Sequence, residues 1–347
     1  MTVTVTNVDE LTPQLLSNLL GAQVVAAGST PLGVGNMSGC YRLALTYAEG
    51  SEGPASLVAK MASGDAAVRE ANALSYRAEV GFYSQLASRI RCAAPRSYYA
   101  GIDDQDNSFL LLLEDLSPAE PGDQIRGCSR EEAGAALTNL AGLHASTWCD
   151  PQLRNLPFLA PMGPEVAESA RDVLVAMTPG FIERFSIGRA DAEILNRYGE
   201  AMARCIGSRT ERYALLHNDY RLDNLMFDSR GSSARPVVAV DWAVIASGLP
   251  GRDVAFFLAT GLEPELRRAH ERDLVAGYCQ ALNRDRRLLS VQEAFDDYVY
   301  GMFQPVLVTV IGAILSQRSE RGDRMFKLMI ERSCAAIRDL DAAHVLP

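Results

Sequence analysis

The hydrophobic pattern of this 347-residue chain changes its period once, near residues 114–123. Strands dominate before that point. "CYRLALTY" alternates Tyr41, Leu43, Leu45 and Tyr47 on one face, and "ASLVAKMA" returns after a "GSEGP" turn. "NSFLLLLEDL" is a further strand. Between them, a helical pattern is expected to begin at residues 63–65 and to continue to about residue 90.

After the change, helical periodicity dominates. "SREEAGAALTNLAGLHASTW" begins with a capping box, Ser129 followed three residues later by Glu132. Further helical patterns are expected at about 164–177, 189–206 and 263–283, with two more helices between about 291 and 342. We therefore expect an α+β, two-lobed fold: a small β-rich N-lobe, residues 1–115, and a larger, mainly helical C-lobe, residues 116–347.

Composition narrows the classes of partner. A formal net charge of −10 disfavours nucleic acid and anionic membrane surfaces. Seven scattered cysteines without a C-x-x-C pair fit a reducing compartment. The N-terminus lacks a signal-peptide pattern, and "VLVTVIGAIL" at 306–315 is too short to span a bilayer. We expect a cytoplasmic protein without membrane insertion; its oligomeric state stays open.

The segment "LLHNDYRLDNLMFD" at 215–228 holds the first chemical motif. His217, Asp219 and Asn224 fit H-x-D-x-x-x-x-N, the catalytic-loop spacing of kinase-fold phosphoryl-transfer enzymes. A carboxylate can accept the proton of an attacking hydroxyl, and an amide oxygen can ligate Mg²⁺. The alternative is a polar hairpin in which Asp and Asn form the turn. Asp241 ends the apolar run in "VVAVDWA". It favours the catalytic interpretation because kinase-fold enzymes have a second Mg²⁺ ligand, the Asp of D-F-G, at this place after the catalytic loop.

Lys60 is one of only two lysines among 33 basic residues. A lysine in a strand usually faces solvent, and this is the alternative interpretation when Lys60 is considered without the helix that follows it. The helix that follows places Glu79 one turn before Phe82, on its apolar face. A half-buried carboxylate needs a partner, and Lys60 is the obvious one. We therefore predict a Lys60–Glu79 ion pair, which in kinase-fold enzymes holds the α- and β-phosphates.

Two further segments are weaker indications. The glycines of "GVGNMSG" precede a strand rather than a helix, which argues against a Rossmann motif. They fit a hairpin whose backbone covers phosphates, with an ordinary turn as the alternative. The residues concerned are Gly35, Asn36, Met37, Ser38 and Gly39. "LLLLEDL" resembles a hinge where backbone groups of Glu114 and Leu116 bind an adenine edge; a structural loop is the alternative.

Three other polar residues are predicted to have structural rather than chemical roles. His144 lies on an apolar helix face and is interpreted as a satisfied core residue. His217 is interpreted as an anchor of the loop through hydrogen bonds. Asp253 in "GRDVAFFLA" either caps the helix that follows or clamps the catalytic loop, and the sequence does not separate the two.

In order and spacing, these motifs together resemble the aminoglycoside phosphotransferase and choline kinase superfamily, with the ecdysteroid-kinase-like branch as the nearest pattern. The resemblance covers nearly the whole chain and is strongest between residues 30 and 260. It implies a protein-kinase-like fold that binds ATP and Mg²⁺ and phosphorylates a hydroxyl of a small molecule. By the same resemblance, Asp219 is the catalytic base, and Asn224 and Asp241 are the metal ligands. Lys60, oriented by Glu79, contacts the phosphates.

Two positions depart from the family pattern. Asn218 stands where Gly is usual, and Trp242 occupies the Phe position of D-F-G. Asn tolerates positive φ, and neither change removes a chemical group, so an active enzyme is expected. Only a short segment separates Asp241 from Asp253, which leaves no room for a protein-kinase activation loop.

The resemblance favours a hydroxylated lipid, steroid or other hydrophobic alcohol as acceptor over an aminoglycoside. "EAFDDYVYGMF" at 293–303 can contribute acidic and aromatic residues for a cationic acceptor, or can be an acidic helix face in solvent. The rival function is a nucleotide-binding pseudokinase that acts through partner binding.

Overall fold

The computed structural model describes residues 2–32, 38–159, 163–228 and 235–347. The chain folds into two compact units. The first comprises Met1–Arg89, Ala94–Pro118 and Val240–Val244, and the second comprises Ile90–Ala93, Ala119–Ala239 and Ile245–Pro347. Asp241 and Trp242 thus belong with the strand-rich unit although they follow the H-x-D motif in sequence. The predicted α+β class is confirmed.

The first unit is built on a five-stranded antiparallel sheet in the order β1-β2-β3-β5-β4. Its strands are β1 (Val24–Pro31), β2 (Ser38–Tyr47), β3 (Ser56–Ala62), β4 (Ser97–Ile102) and β5 (Phe109–Glu114). Leu43, Leu57, Ala59 and Leu112 form its buried face, and Leu16 of helix α1 (Pro13–Leu20) packs against it. This is the alternation that the sequence pattern predicts.

The helix expected from residues 63–65 to about residue 90 is not continuous, which corrects that prediction. It divides into α2 (Ala66–Ala71) and α3 (Ala73–Gly81), followed by one π turn over Phe82–Leu86. The break lies at Asn72, whose side chain donates to the Val68 carbonyl at 2.7 Å. An Asn side chain that bonds the local backbone competes with helix continuation.

The second unit is mainly helical. Its helices are α4 (Arg130–Ser146), α5 (Pro164–Phe185), α6 (Arg189–Gly207), α7 (Gly251–Gly261), α8 (Pro264–Leu282), α9 (Val291–Tyr300), α10 (Phe303–Leu315) and α11 (Glu320–Asp339). The predicted capping box at Ser129 and Glu132 is present. Two expectations were wrong: α5 continues beyond residue 177 through Pro179, and three helices rather than two follow residue 291.

Short strands flank the loop of this unit that contains the H-x-D motif. They are β6 (Glu120–Pro121), β7 (Ala214–Leu216), β8 (Leu225–Phe227), β9 (Val237–Ala239) and β10 (Ala246–Gly248). The strands pair as β6-β8-β9 and as β10-β7. The H-x-D motif therefore begins where β7 ends, and Asn224 lies immediately before β8.

By length and composition alone, one described segment, Val291–Leu315, is apolar enough to cross a membrane. Gly301 and Met302 separate it into α9 and α10, and most of its apolar window is buried in the fold. A mostly buried segment of this kind is typical of a core helix, as the sequence predicts for 306–315.

Helices α7 and α9 approach each other through two glycines. A Cβ added at Gly301 would lie 2.5 Å from the Gly251 carbonyl oxygen, and one added at Gly251 would lie 2.2 Å from the Asp297 carbonyl oxygen. Backbone atoms cannot move away as a flexible side chain can. The start of α7, with Arg252 and Asp253, is therefore held against the end of α9.

Substitution of Gly301 tests this contact. We expect Gly301→Ala to lower the free energy of unfolding by about 1–3 kcal/mol, because the methyl group overpacks against backbone. Gly277→Ala in α8 is the matched control: a Cβ there meets nothing within 4 Å, so stability rises by up to about 1 kcal/mol. Urea denaturation measures both; equal midpoints would contradict the close contact.

Candidate active site

The catalytic-loop candidate is held by one buried carboxylate. Asp253 Oδ2 accepts the His217 N–H at 2.7 Å, and Oδ1 accepts the Asn218 N–H at 3.0 Å. Asn218 has a φ of 67°, a left-handed conformation that Asn adopts more readily than most residues. The residue that departs from the family's Gly therefore keeps the backbone conformation that a Gly favours.

Asp253 acts as a clamp rather than a helix cap, which resolves the alternative left open by the sequence. The N-cap of α7 is Pro250, and Asp253 lies inside the helix with no exposed surface. His144, also fully buried, places Nε2 3.4 Å from Asp253 Oδ2 and Nδ1 2.8 Å from the Tyr278 hydroxyl. His144 is thus a hydrogen-bonded core residue that supports the clamp.

The predicted base, Asp219, is oriented by its own loop. Asn224 Nδ2 donates to the Asp219 carboxylate at 2.9 Å and to its carbonyl at 3.0 Å. Arg221 Nε lies 3.2 Å from Asp219 Oδ2. Because Asn224 directs its amide nitrogen at Asp219, its Oδ1 is left as an acceptor or metal ligand. The structure thus brings Asp219 and Asn224 together.

Asp223 has a different task from Asp219. Its carboxylate pairs with Arg321 at 2.9 Å and accepts the Gln124 N–H at 3.0 Å. Burial alone would raise the pKa of Asp223, but the Arg321 guanidinium and the Gln124 N–H bring it below its ordinary value. A carboxylate held ionised by these partners anchors the loop, as the prediction that left Asp223 out of the chemistry requires.

Lys60, Glu79 and Asp241 form an ion cluster within the first unit. Lys60 Nζ lies 2.7 Å from Glu79 Oε2 and 3.0 Å from Asp241 Oδ1. Burial lowers the pKa of Lys60, but the two carboxylates more than reverse this and keep it above its ordinary value. Glu79 is buried, whereas about half of the Asp241 side chain (46%) is exposed. The predicted Lys60–Glu79 pair is present, with Asp241 as its third member.

Asp241 and its neighbour Trp242 are fixed by backbone and by stacking. Asp241 has a φ of 64°, an uncommon conformation for a non-glycine residue. Trp242 is fully buried and stacks on Phe82 of the π turn, with ring centroids 3.8 Å apart and planes 7° apart. The helix that carries Glu79 and the segment that carries Asp241 are thereby packed together.

The predicted hairpin and hinge residues are partly described. Ser38 and Gly39 begin β2, where Gly39 pairs with Met61, while Gly35, Asn36 and Met37 lie outside the described residues. Glu114 ends β5, and its N–H donates to the Arg96 carbonyl at 2.8 Å. Leu116 follows the strand. Glu114 thus lies at the end of an inner strand of the sheet and Leu116 two residues beyond it, and their role as a hinge stays a prediction.

The sequence interpretation missed Arg252 and Gln304. Arg252 donates to Gln304 Oε1 at 2.6 Å and to Asn218 Oδ1 at 3.4 Å, and Gln304 Nε2 donates to Asn218 Oδ1 at 2.7 Å. Both side chains are buried. The available signal was an arginine before the apolar run "VAFFLA", where a charge is unusual.

Known structures share this architecture. Choline kinase from Cryptosporidium parvum Iowa II has a TM-score of 0.56 at 11% identity, over 91% of each chain. Spectinomycin phosphotransferase, solved with ADP and spectinomycin, has a TM-score of 0.51 at 14% identity, over 97% of this chain and 98% of that one. Ethanolamine kinase from Plasmodium vivax has a TM-score of 0.53 at 9% identity, over 89% and 83%. These identities show the fold alone.

A comparison with curated proteins gives no match. A family model does match: the ecdysteroid kinase-like family, over residues 33–291. That match spans well over half of the chain, and it includes Lys60, Glu79, Asp219, Asn224 and Asp241. The chain therefore belongs to the ecdysteroid kinase-like family, a family of small-molecule kinases.

Proposed function

We propose that this protein transfers the γ-phosphate of ATP to a hydroxyl group of a small molecule. The observation that carries the proposal is the Lys60–Glu79–Asp241 cluster. The buried Glu79 holds a charged lysine beside a half-exposed Asp241. Such a cluster contributes little to the stability of a sheet, because burying the charges costs desolvation energy. It suits a site where Lys60 binds phosphate oxygens and Asp241 contributes a metal ligand.

In the proposed reaction, Asp219 orients the acceptor hydroxyl and receives its proton. The hydroxyl oxygen forms a bond to the γ-phosphorus, and the bond from that phosphorus to the β,γ-bridging oxygen breaks. ADP leaves with the electron pair of the broken bond. Asn224 and Arg221 hold the Asp219 carboxylate in one orientation, so the protein contributes positioning and electrostatics rather than covalent chemistry.

Asn224 and Asp241 are the proposed ligands of Mg²⁺. Each side chain has an oxygen of the kind that Mg²⁺ prefers: Asp241 offers a partly exposed carboxylate, and Asn224 offers an amide oxygen because its nitrogen donates to Asp219. Bound Mg²⁺ supplies charge neutralisation on the β- and γ-phosphates. Lys60 binds the α- and β-phosphates, the strand beginning at Ser38 and Gly39 covers them, and backbone groups of Glu114 and Leu116 bind the adenine edge.

The acceptor is proposed to be an alcohol with an apolar part. The names of the structural neighbours include choline, ethanolamine and spectinomycin as molecules that those proteins act on or bind, which supports a small acceptor. The neighbour solved with ADP supports an adenine nucleotide. Leu159, Ile206, Leu249 and Phe303 line a cavity in the second unit, and this apolar wall supports an acceptor that is not purely polar.

Asp219→Asn tests the proposed base. We expect the variant to fold and bind MgATP, but to lose about 10²–10⁴-fold in turnover because the amide cannot take the proton. Asp223→Asn, in the same loop, is the matched control and should retain activity, since its amide oxygen can still accept the Gln124 N–H. A coupled assay of ADP release, run with an acceptor that the wild type phosphorylates, measures the turnover of both variants. Equal turnover by Asp219→Asn and the wild type would exclude the assignment.

Asp241→Asn tests the proposed metal ligand. Asn removes the charge yet tolerates the positive φ of this position. We expect at least about tenfold weaker binding of MgATP, because a metal ligand is worth no less than the outer-shell contacts that support it. Metal-free ATP is the control, and its affinity should not fall. A calorimetric titration with unchanged MgATP affinity would contradict the metal assignment.

A further inference from the structure

A cavity of about 420 Å³ in the second unit is lined by two kinds of side chain. Apolar side chains include Leu249 and Phe303. Four arginines, Arg154, Arg209, Arg212 and Arg252, also line it, while no Asp or Glu among the described residues does. A cationic acceptor such as an amino-alcohol or an aminoglycoside needs the opposite lining. The cavity is instead suited to an anion with an apolar body.

Carboxylates that do not line the cavity already compensate two of the arginines. Buried Asp297 Oδ1 accepts from Arg209 at 3.0 Å and from Arg212 at 2.9 Å. Arg212 also lies 3.5 Å from the half-exposed Glu293 and 3.8 Å from the exposed Glu211. Glu293 and Asp297 of "EAFDDYVYGMF" therefore hold arginines in place, and the expectation that this segment receives a cationic acceptor has no support from these contacts.

Arg252 differs from Arg209 and Arg212. Arg252 is 4% exposed, and its partners, Gln304 Oε1 and Asn218 Oδ1, are neutral. In the described part of the chain no carboxylate lies within ion-pair distance of its guanidinium, and Nη1 has no hydrogen-bond acceptor. Burial lowers the pKa of Arg252 to about 10, although the nearby Asp253 charge opposes this, so Arg252 stays protonated at neutral pH. A buried cation without a carboxylate in direct contact is costly unless a ligand supplies that contact.

Arg252 also contacts the residue that precedes the proposed base. Its Nη2 lies 3.4 Å from Asn218 Oδ1, and Asn218 directly precedes Asp219. Strand β10, which contributes Gly248 to the cavity, pairs with β7, the strand that leads into the same loop. A ligand group at Arg252 thus lies beside the loop that carries Asp219.

We infer that this cavity recognises an oxyanion, a carboxylate or phosphate, of the acceptor through Arg252, with the acceptor's apolar body against Leu249 and Phe303. The inference rests on the proposed function and narrows it: the acceptor is a hydroxylated acid or phosphate ester, and its hydroxyl is the group presented to Asp219. The planar guanidinium matches two oxyanion oxygens at once. Asn218 and Gln304 are positioning residues that orient Arg252 and connect it to the loop.

A matched set of probes tests the inference on the wild-type protein. The probes are ω-hydroxyhexanoate, its methyl ester, ω-hydroxyhexyl phosphate and the corresponding ω-amino-alcohol, titrated calorimetrically in the presence of MgADP. We expect the carboxylate or the phosphate to bind at least about tenfold more tightly than the ester and the amine. The tighter of the two anions identifies the oxyanion. Equal binding of acid and ester, or tighter binding of the amine, would overturn the inference.

Arg252→Met provides the second arm. It should weaken binding of the preferred anion at least about tenfold while MgATP affinity is unchanged, and Arg252→Lys should restore part of the loss. Arg189→Met is the control, because Arg189 is 94% exposed and paired with Glu193. If the amine or the ester is the one phosphorylated, in an Asp219-dependent reaction, the anion site is wrong but the proposed function stands. If anions bind through Arg252 but MgATP does not bind, the proposed function fails instead.

Discussion

The second unit is organised around the Asp253 carboxylate. It has no access to water, and its two oxygens accept adjacent backbone N–H groups of His217 and Asn218. Two neighbouring donors can point at one carboxylate because Asn218 is in the left-handed region, which carries a conformational cost of about 1–3 kcal/mol. Buried His144 places its Nε2 3.4 Å from Oδ2 of the same carboxylate. The direction in which the chain presents Asp219 follows from this clamp.

The first unit has its own buried centre, the Lys60–Glu79 pair with Asp241. Removing Lys60 would leave the buried Glu79 charge uncompensated, at a cost of about 3–5 kcal/mol. The stack of Trp242 on Phe82 adds an apolar contact between the segment that carries Asp241 and the end of the helix that carries Glu79. Charge pairing and aromatic packing therefore fix the same arrangement, and Asp241 is exposed enough to exchange Lys60 for another cation.

The sequence predicted those features whose cause is local or periodic. The sheet strands follow from alternation, and the Lys60–Glu79 pair follows from a carboxylate on an apolar helix face. The break at Asn72 was missed because one side-chain hydrogen bond outweighs the continuing pattern. The role of Asp253 stayed undecided because caps and clamps both place an acid near a helix start. The network of Arg252, Gln304 and Asn218 depends on residues 52 and 86 positions apart, which no local pattern relates.

The proposed reaction moves a phosphoryl group from ATP to an alcohol oxygen. The most direct measurement is ³¹P NMR of the protein with MgATP and the hydroxylated acids, esters and amino-alcohols above. We expect a new phosphate-monoester resonance that grows in step with ADP for at least one hydroxylated anion and that is absent when the acceptor is left out. ADP accompanied only by inorganic phosphate, with every acceptor class present, would contradict it and favour a nucleotide-binding protein that acts through a partner.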